Sequence, residues 1–199
     1  MSRMNVPTLI WTLLFISIVP LALIAWFFVR EIRRSRDLFR TLASLLGGKT
    51  SHFPFGLVYE LEGIPIRIYA LQGSIQYRAK VDLRTDPGIL VTRTFRKLKF
   101  LDPLHYSPSR KRFLFHAPVD RQFGFRAKDT SWMREIFNSE LLDHMTETGR
   151  VTRIEIRRRV VKGALLMIIQ SKDEHEKAWQ SIDILNQVVI KVSRSTLAL

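Results

Sequence analysis

The chain has 199 residues, room for one domain and an appendage. It contains no cysteine, which excludes disulfides, thiolate nucleophiles and Cys-ligated zinc. Its 32 Lys and Arg against 18 Asp and Glu, a net charge of +14, call for an anionic partner: a membrane surface, nucleic acid or an acidic protein.

Residues 6–29, VPTLIWTLLFISIVPLALIAWFFV, carry no charged side chain. As a helix rising about 1.5 Å per residue they span ~36 Å, enough to cross a ~30 Å hydrocarbon core. A cleavable signal would be shorter and end in small residues, whereas Trp26, Phe27 and Phe28 stand where those should be. The stretch therefore reads as a retained transmembrane helix. Arg3 alone precedes it, while Arg30, Arg33, Arg34 and Arg36 crowd its far end. By the positive-inside rule the N-terminus faces out and the remainder lies in the cytoplasm, at the inner membrane. Trp11 and Trp26 sit where interfacial aromatics belong, so these six residues form the expected membrane interface. Pro20 is either a kink shaped for a partner helix or a harmless bend.

Residues 30–48 continue as a basic amphipathic helix, with Leu38, Leu42, Leu45 and Leu46 on one face and Phe39 beside them. Gly47 and Gly48 end it. They open Gly-Gly-Lys-Thr, the tail of a phosphate-binding loop, but such a loop follows a strand and opens a helix. Here Ala43 holds the first glycine position and a helix precedes the motif, so Gly-Gly-Lys-Thr reads as a helix stop.

Residues 49–195 read as one α+β domain: an antiparallel sheet covered by two helices, with a short tail at 196–199. A hairpin runs from Leu57 to Ala70 with its turn at Glu62-Gly63, and Pro65 argues for an edge position. In the next strand Ile75, Tyr77, Ala79, Val81 and Leu83 alternate with polar residues. Asp86-Pro87-Gly88 marks a turn before a strand over 89–95, and shorter strands are expected over 112–116 and 123–127. The period predicts one helix over 131–146, with Met133, Phe137, Leu141 and Met145 in a stripe and Gly149 beyond its end. Strands over 151–158 and 164–170 are expected to pair through a turn near Lys162-Gly163. A last helix follows the capping box Ser171–Glu174, with Trp179, Ile182, Leu185, Val189 and Val192 on one face.

This layout resembles bacterial membrane-anchored proteins of uncharacterised function. In these, one or two spans precede a helix ending in Leu-Gly-Gly, here Leu46-Gly47-Gly48. A hairpin then follows, of the kind seen in Leu57-Val-Tyr-Glu-Leu-Glu-Gly-Ile-Pro-Ile-Arg-Ile68. The resemblance extends over residues 30–195 and implies a membrane anchor with a cytoplasmic α+β domain. It brings no catalytic residues with it.

The five histidines, His52, His105, His116, His144 and His175, form no tight metal spacing, and no nucleophile elbow occurs. No catalytic, cofactor-binding or metal residue is expected. Arg121-Gln-Phe-Gly-Phe-Arg126 approaches an RNA-recognition strand, but Gln122 and Arg126 break the pattern and the element order differs; Phe123 and Phe125 are expected in the core. Three basic clusters remain as candidate contacts to partner protein or lipid: Arg96, Lys97 and Lys99; Arg110, Lys111 and Arg112; and Arg157 and Arg159. With Arg153 and Glu155, the last pair would line one face of a strand as a positive stripe. A membrane tether argues against nucleic acid. The expectation is a non-catalytic accessory or structural subunit of a larger membrane complex, docking on partner subunits or anionic lipid. A membrane-tethered regulatory module for an acidic ligand, peptide or nucleic acid is the alternative.

Overall fold

The computed structural model describes residues 6–52, 55–71, 74–94, 110–166 and 173–195. The chain divides into two units, residues 1–38 and 39–199. A single helix, α1 (Val6–Leu46), runs from the first unit into the start of the second. Its apolar side chains from Phe15 to Val29 face outward, 36–71% exposed. Of the amphipathic face expected in its second half, Leu38, Phe39 and Leu42 are buried, whereas Leu45 is 58% exposed. Gly47, with φ +67°, supplies the left-handed residue that ends the helix. Lys49 and Thr50 then open a strand, the reverse of the order a phosphate-binding loop needs.

The second unit is α+β, built on a nine-stranded sheet: β1 (Lys49–His52), β2 (Phe55–Leu61), β3 (Ile64–Leu71), β4 (Ser74–Lys80), β5 (Ile89–Arg93), β6 (Lys111–Phe113), β7 (Phe123–Ala127), β8 (Val151–Arg157) and β9 (Val160–Leu166). The order is β1-β2-β3-β4-β9-β8-β5-β7-β6, and every pair is antiparallel. Both rims are short, four residues in β1 and three in β6. The helices of this unit are α2 (Ala117–Gln122), α3 (Met133–Ile136), α4 (Ser139–Thr148) and α5 (Asp173–Arg194).

Several expectations are corrected. Pro65 lies in an interior strand, between β2 and β4. It faces Glu60 of β2, but the β3–β4 register begins at Ile66, so its missing N–H removes no ladder bond. The helix expected over 131–146 is two helices. Asn138, extended at ψ 170°, breaks the chain and caps α4 by accepting a hydrogen bond from the Leu141 N–H at 3.2 Å. The turn before β9 falls at Arg158-Arg159, and Lys162 and Gly163 lie inside the strand. β1 and α2 had no counterpart in the sequence reading, and the strand at 112–116 shrinks to β6 before α2 begins. The capping box at 171–174 falls partly outside the described residues.

One face of the sheet forms the core. Leu57, Ile68, Tyr77, Gly163, Ile154, Val91 and Phe125 follow one another across seven strands in register. The side chains in that row are all buried. Phe123 and Phe125 belong to this core, as expected. Gly163 has its reason in the row: a Cβ there would stand 2.5 Å from Leu185 of α5, so the helix approaches the sheet over the missing side chain. One residue along, buried Asn186 offers its Oδ1 to two tyrosine hydroxyls. Tyr59 donates at 2.6 Å from β2 and Tyr77 at 2.9 Å from β4. Burial pushes the pKa of both tyrosines well above its ordinary value.

Candidate interaction surface

Side chains alternate across a strand, and antiparallel partners share a face. The register therefore defines a row on the face opposite the core: Lys49, Val58, Arg67, Arg78, Lys162, Glu155, Leu90, Arg126 and Arg112. Six of the nine are basic. From β1 to β9 the five side chains are exposed, and among the described residues the four cations form no ion pair. Lys80 lies on the same face one row away, aligned with Val160 and Arg157, while Glu60 is the exposed acid of that flanking row. On the other flank Leu71, Ser74 and Leu166 stand in line, with Leu71 49% and Leu166 40% exposed, and Val58 in the row itself is 43% exposed. Further along, Leu90 and Thr92 are buried, so the open part of this face is carried by β1–β4 and β9.

Two of the predicted contacts, Arg110 and Arg157, are ion-paired within the sheet. Glu155 is buried in β8 and collects arginines: Arg153 and Arg157 each at 2.8 Å and Arg110 at 3.7 Å. Arg157 also reaches Asp86, at 3.8 Å, which Lys128 holds at 2.7 Å. Burial alone would raise the Glu155 carboxyl; the Arg157 hydrogen bond and the Arg153 and Arg157 charges outweigh it and hold the group below its ordinary value. Asp86 is likewise held down, its burial outweighed by Lys128, the Gly88 N–H and Arg157. Arg110, itself buried, is lowered by desolvation and by the nearby charge of Arg157. In the expected positive stripe, Arg153, Glu155 and Arg157 thus form an ion-paired cluster that keeps an excess of positive charge, and a bulge between Val151 and Arg153 lies just before it. Arg159 is exposed in the β8–β9 turn, and Lys111 and Arg112 are exposed on the rim strand β6. Arg96, Lys97 and Lys99 lie outside the described residues.

No protein-family model matches this sequence, and no curated protein matches it. Among solved structures, the chain is similar to the mycobacterial trehalose monomycolate transport factor A, TtfA. The TM-score is 0.54 at 6% identity, over 80% of this chain and 94% of that one. At that identity the likeness is one of fold, and it agrees with the α+β architecture read from the sequence.

At the membrane-interface candidates, the Arg30 guanidinium carbon sits 5.2 Å from the Trp26 ring centroid, and Trp26 itself is 58% exposed. Arg33 and Arg36 are exposed and Arg34 half-buried; the side chain of Trp11 lies outside the described residues. Among the described residues α1 is the one helix long and apolar enough to cross a membrane, with a mean hydropathy of 1.9 and none of that window buried.

The helical side carries a cleft of about 320 Å³ between α4 and α5, lined by His144, Glu147, Thr148, Lys177, Trp179 and Asp183 among others. Among the described residues no three His, Asp or Glu side chains are grouped to hold a metal.

Proposed function

We propose that this chain is a single-pass membrane protein acting as a non-catalytic accessory subunit of a larger membrane complex. Its N-terminus lies outside and its basic domain in the cytoplasm. The observation that carries the reading is α1: its apolar side chains from Phe15 to Val29 are exposed around the whole helix. Such a surface is stable only in lipid or against other apolar helices. The arginines after residue 29 set the orientation. A protein of similar fold is a transport factor, which is in keeping with an accessory role.

The test is affinity purification of the full chain in mild detergent, with identification of the co-purifying proteins and protease accessibility in intact cells. Stoichiometric membrane-protein partners and a domain protected from external protease are expected. A chain that purifies alone, or a domain cleaved from outside, refutes the proposal.

A further inference from the structure

We propose that the open cationic face of the sheet, carried by β1–β4 and β9, binds the anionic headgroup surface of a lipid bilayer. The inference rests on the membrane-anchored reading above and assigns a surface to it. Lys49, Arg67, Arg78 and Lys162 stand on four of these five strands, at multiples of the ~4.8 Å strand spacing. Together with Lys80 they oppose a single exposed acid of the adjoining row, Glu60. None of the five cations forms an ion pair among the described residues. Arg153 and Arg157 of the neighbouring strand, by contrast, are held by the Glu155 carboxylate.

Chemistry selects the occupant. The five cations are all exposed and spread along and across the strands of one sheet face, an open surface suited to an extended anionic layer rather than to a single small anion, while the described clefts lie on the helical side and against α5. Among the described residues its side chains offer no row of exposed aromatics on which bases could stack, with Tyr69 half-buried. Instead the cations are flanked by exposed Val58, Leu71 and Leu166, aliphatic groups that can enter the headgroup layer while lysine and arginine reach phosphate. The same polypeptide carries an apolar helix, so lipid phosphate is the anion at the highest effective concentration near the domain.

The chain contains no cysteine, so single-cysteine reporters can be placed without background. Gln76→Cys puts a fluorophore on the cationic face, beside Arg67 and Arg78; Asp143→Cys puts one on exposed α4. The full chain is reconstituted into phosphatidylcholine vesicles with or without phosphatidylglycerol, each containing a nitroxide-labelled lipid as quencher. The Gln76 reporter should be quenched in the anionic vesicles only and released by salt, with the Asp143 reporter unquenched in both. The triple variant Arg67→Glu, Arg78→Glu, Lys162→Glu should shift the contact equilibrium by at least about 100-fold, from ~5-fold for each cation lost, and return quenching to the neutral-vesicle level. A Gln76 reporter quenched equally in neutral vesicles, or in neither, overturns the proposal. Protection of that unquenched reporter by an acidic protein would assign the face to protein instead. Flotation of the same samples separates the two readings: a chain that does not float with vesicles refutes the anchor, whereas one that floats with an unquenched reporter refutes only the lipid-facing sheet.

Discussion

Asn186→Leu is the most informative single substitution in the core. Its Oδ1 receives hydrogen bonds from Tyr59 at 2.6 Å and Tyr77 at 2.9 Å, and all three residues are buried, at 4%, 6% and 1% exposure. Leucine has a similar volume and removes the acceptor. Two phenolic hydroxyls are then left in an apolar interior, at about 1–3 kcal/mol each, so the variant should lose about 2–6 kcal/mol. The single changes Tyr59→Phe and Tyr77→Phe should cost less, about 0.5–1.5 kcal/mol, because each leaves Asn186 with its other donor. In the Tyr59→Phe/Tyr77→Phe background the sign changes: Asn186 is then the stranded group, and Asn186→Leu should be neutral or stabilising. Denaturant unfolding of the full chain in mild detergent, followed by near-ultraviolet circular dichroism, reads the cycle. An equal cost of Asn186→Leu in both backgrounds would refute the assignment of these hydrogen bonds as the seam between α5 and the sheet.

The same tyrosines predict an alkaline limit. Their folded pKa values are raised above the ordinary value, so their stability contribution is present below pH ~10 and falls as pH rises, by about 1.4 kcal/mol per pH unit for each tyrosine. Tyr59→Phe/Tyr77→Phe should flatten that slope in thermal melts between neutral and strongly alkaline pH. At the acid end Glu155 and Asp86 have lowered folded pKa values, so their contribution is present above pH ~4 and lost as pH falls further. Glu155→Gln should cost about 2–3 kcal/mol at neutral pH, below a fully buried pair because Arg153 and Arg157 are 50% and 40% exposed, and should shrink the acid-side slope in urea titrations. Gly56→Ala should destabilise by more than about 2 kcal/mol, since its Cβ would stand 2.4 Å from the Ile68 carbonyl oxygen. Gly47→Ala meets nothing within 4 Å and should cost only about 1–2 kcal/mol for its φ of +67°; reversing that order in thermal melts would contradict the described β2–β3 approach.

Where the physics is local, the sequence was readable. The apolar stretch at 6–29, the alternation from Ile75 to Ala79 and the Glu62-Gly63 turn each announce their element, and both turn residues have positive φ. Glycine was less legible: Gly163 signals a turn as readily as the close helix approach it provides. Asn138 could have been recognised as a cap, but the stripe of Met133, Phe137, Leu141 and Met145 stays in phase across the break and hides it. The cationic face was missed for a different reason. Clusters such as Arg110-Lys111-Arg112 are neighbours along the chain, and successive strand residues point to opposite faces. Lys49, Arg67, Arg78 and Lys162 are brought together only by strand register, which no short window contains.

The brevity of β1 and β6 has a bearing on how this molecule can meet others. With four residues at one rim and three at the other, few backbone amides and carbonyls are left for an incoming strand to zip onto. Among the described strands, fibril-like growth and strand-exchanged dimers therefore find little template.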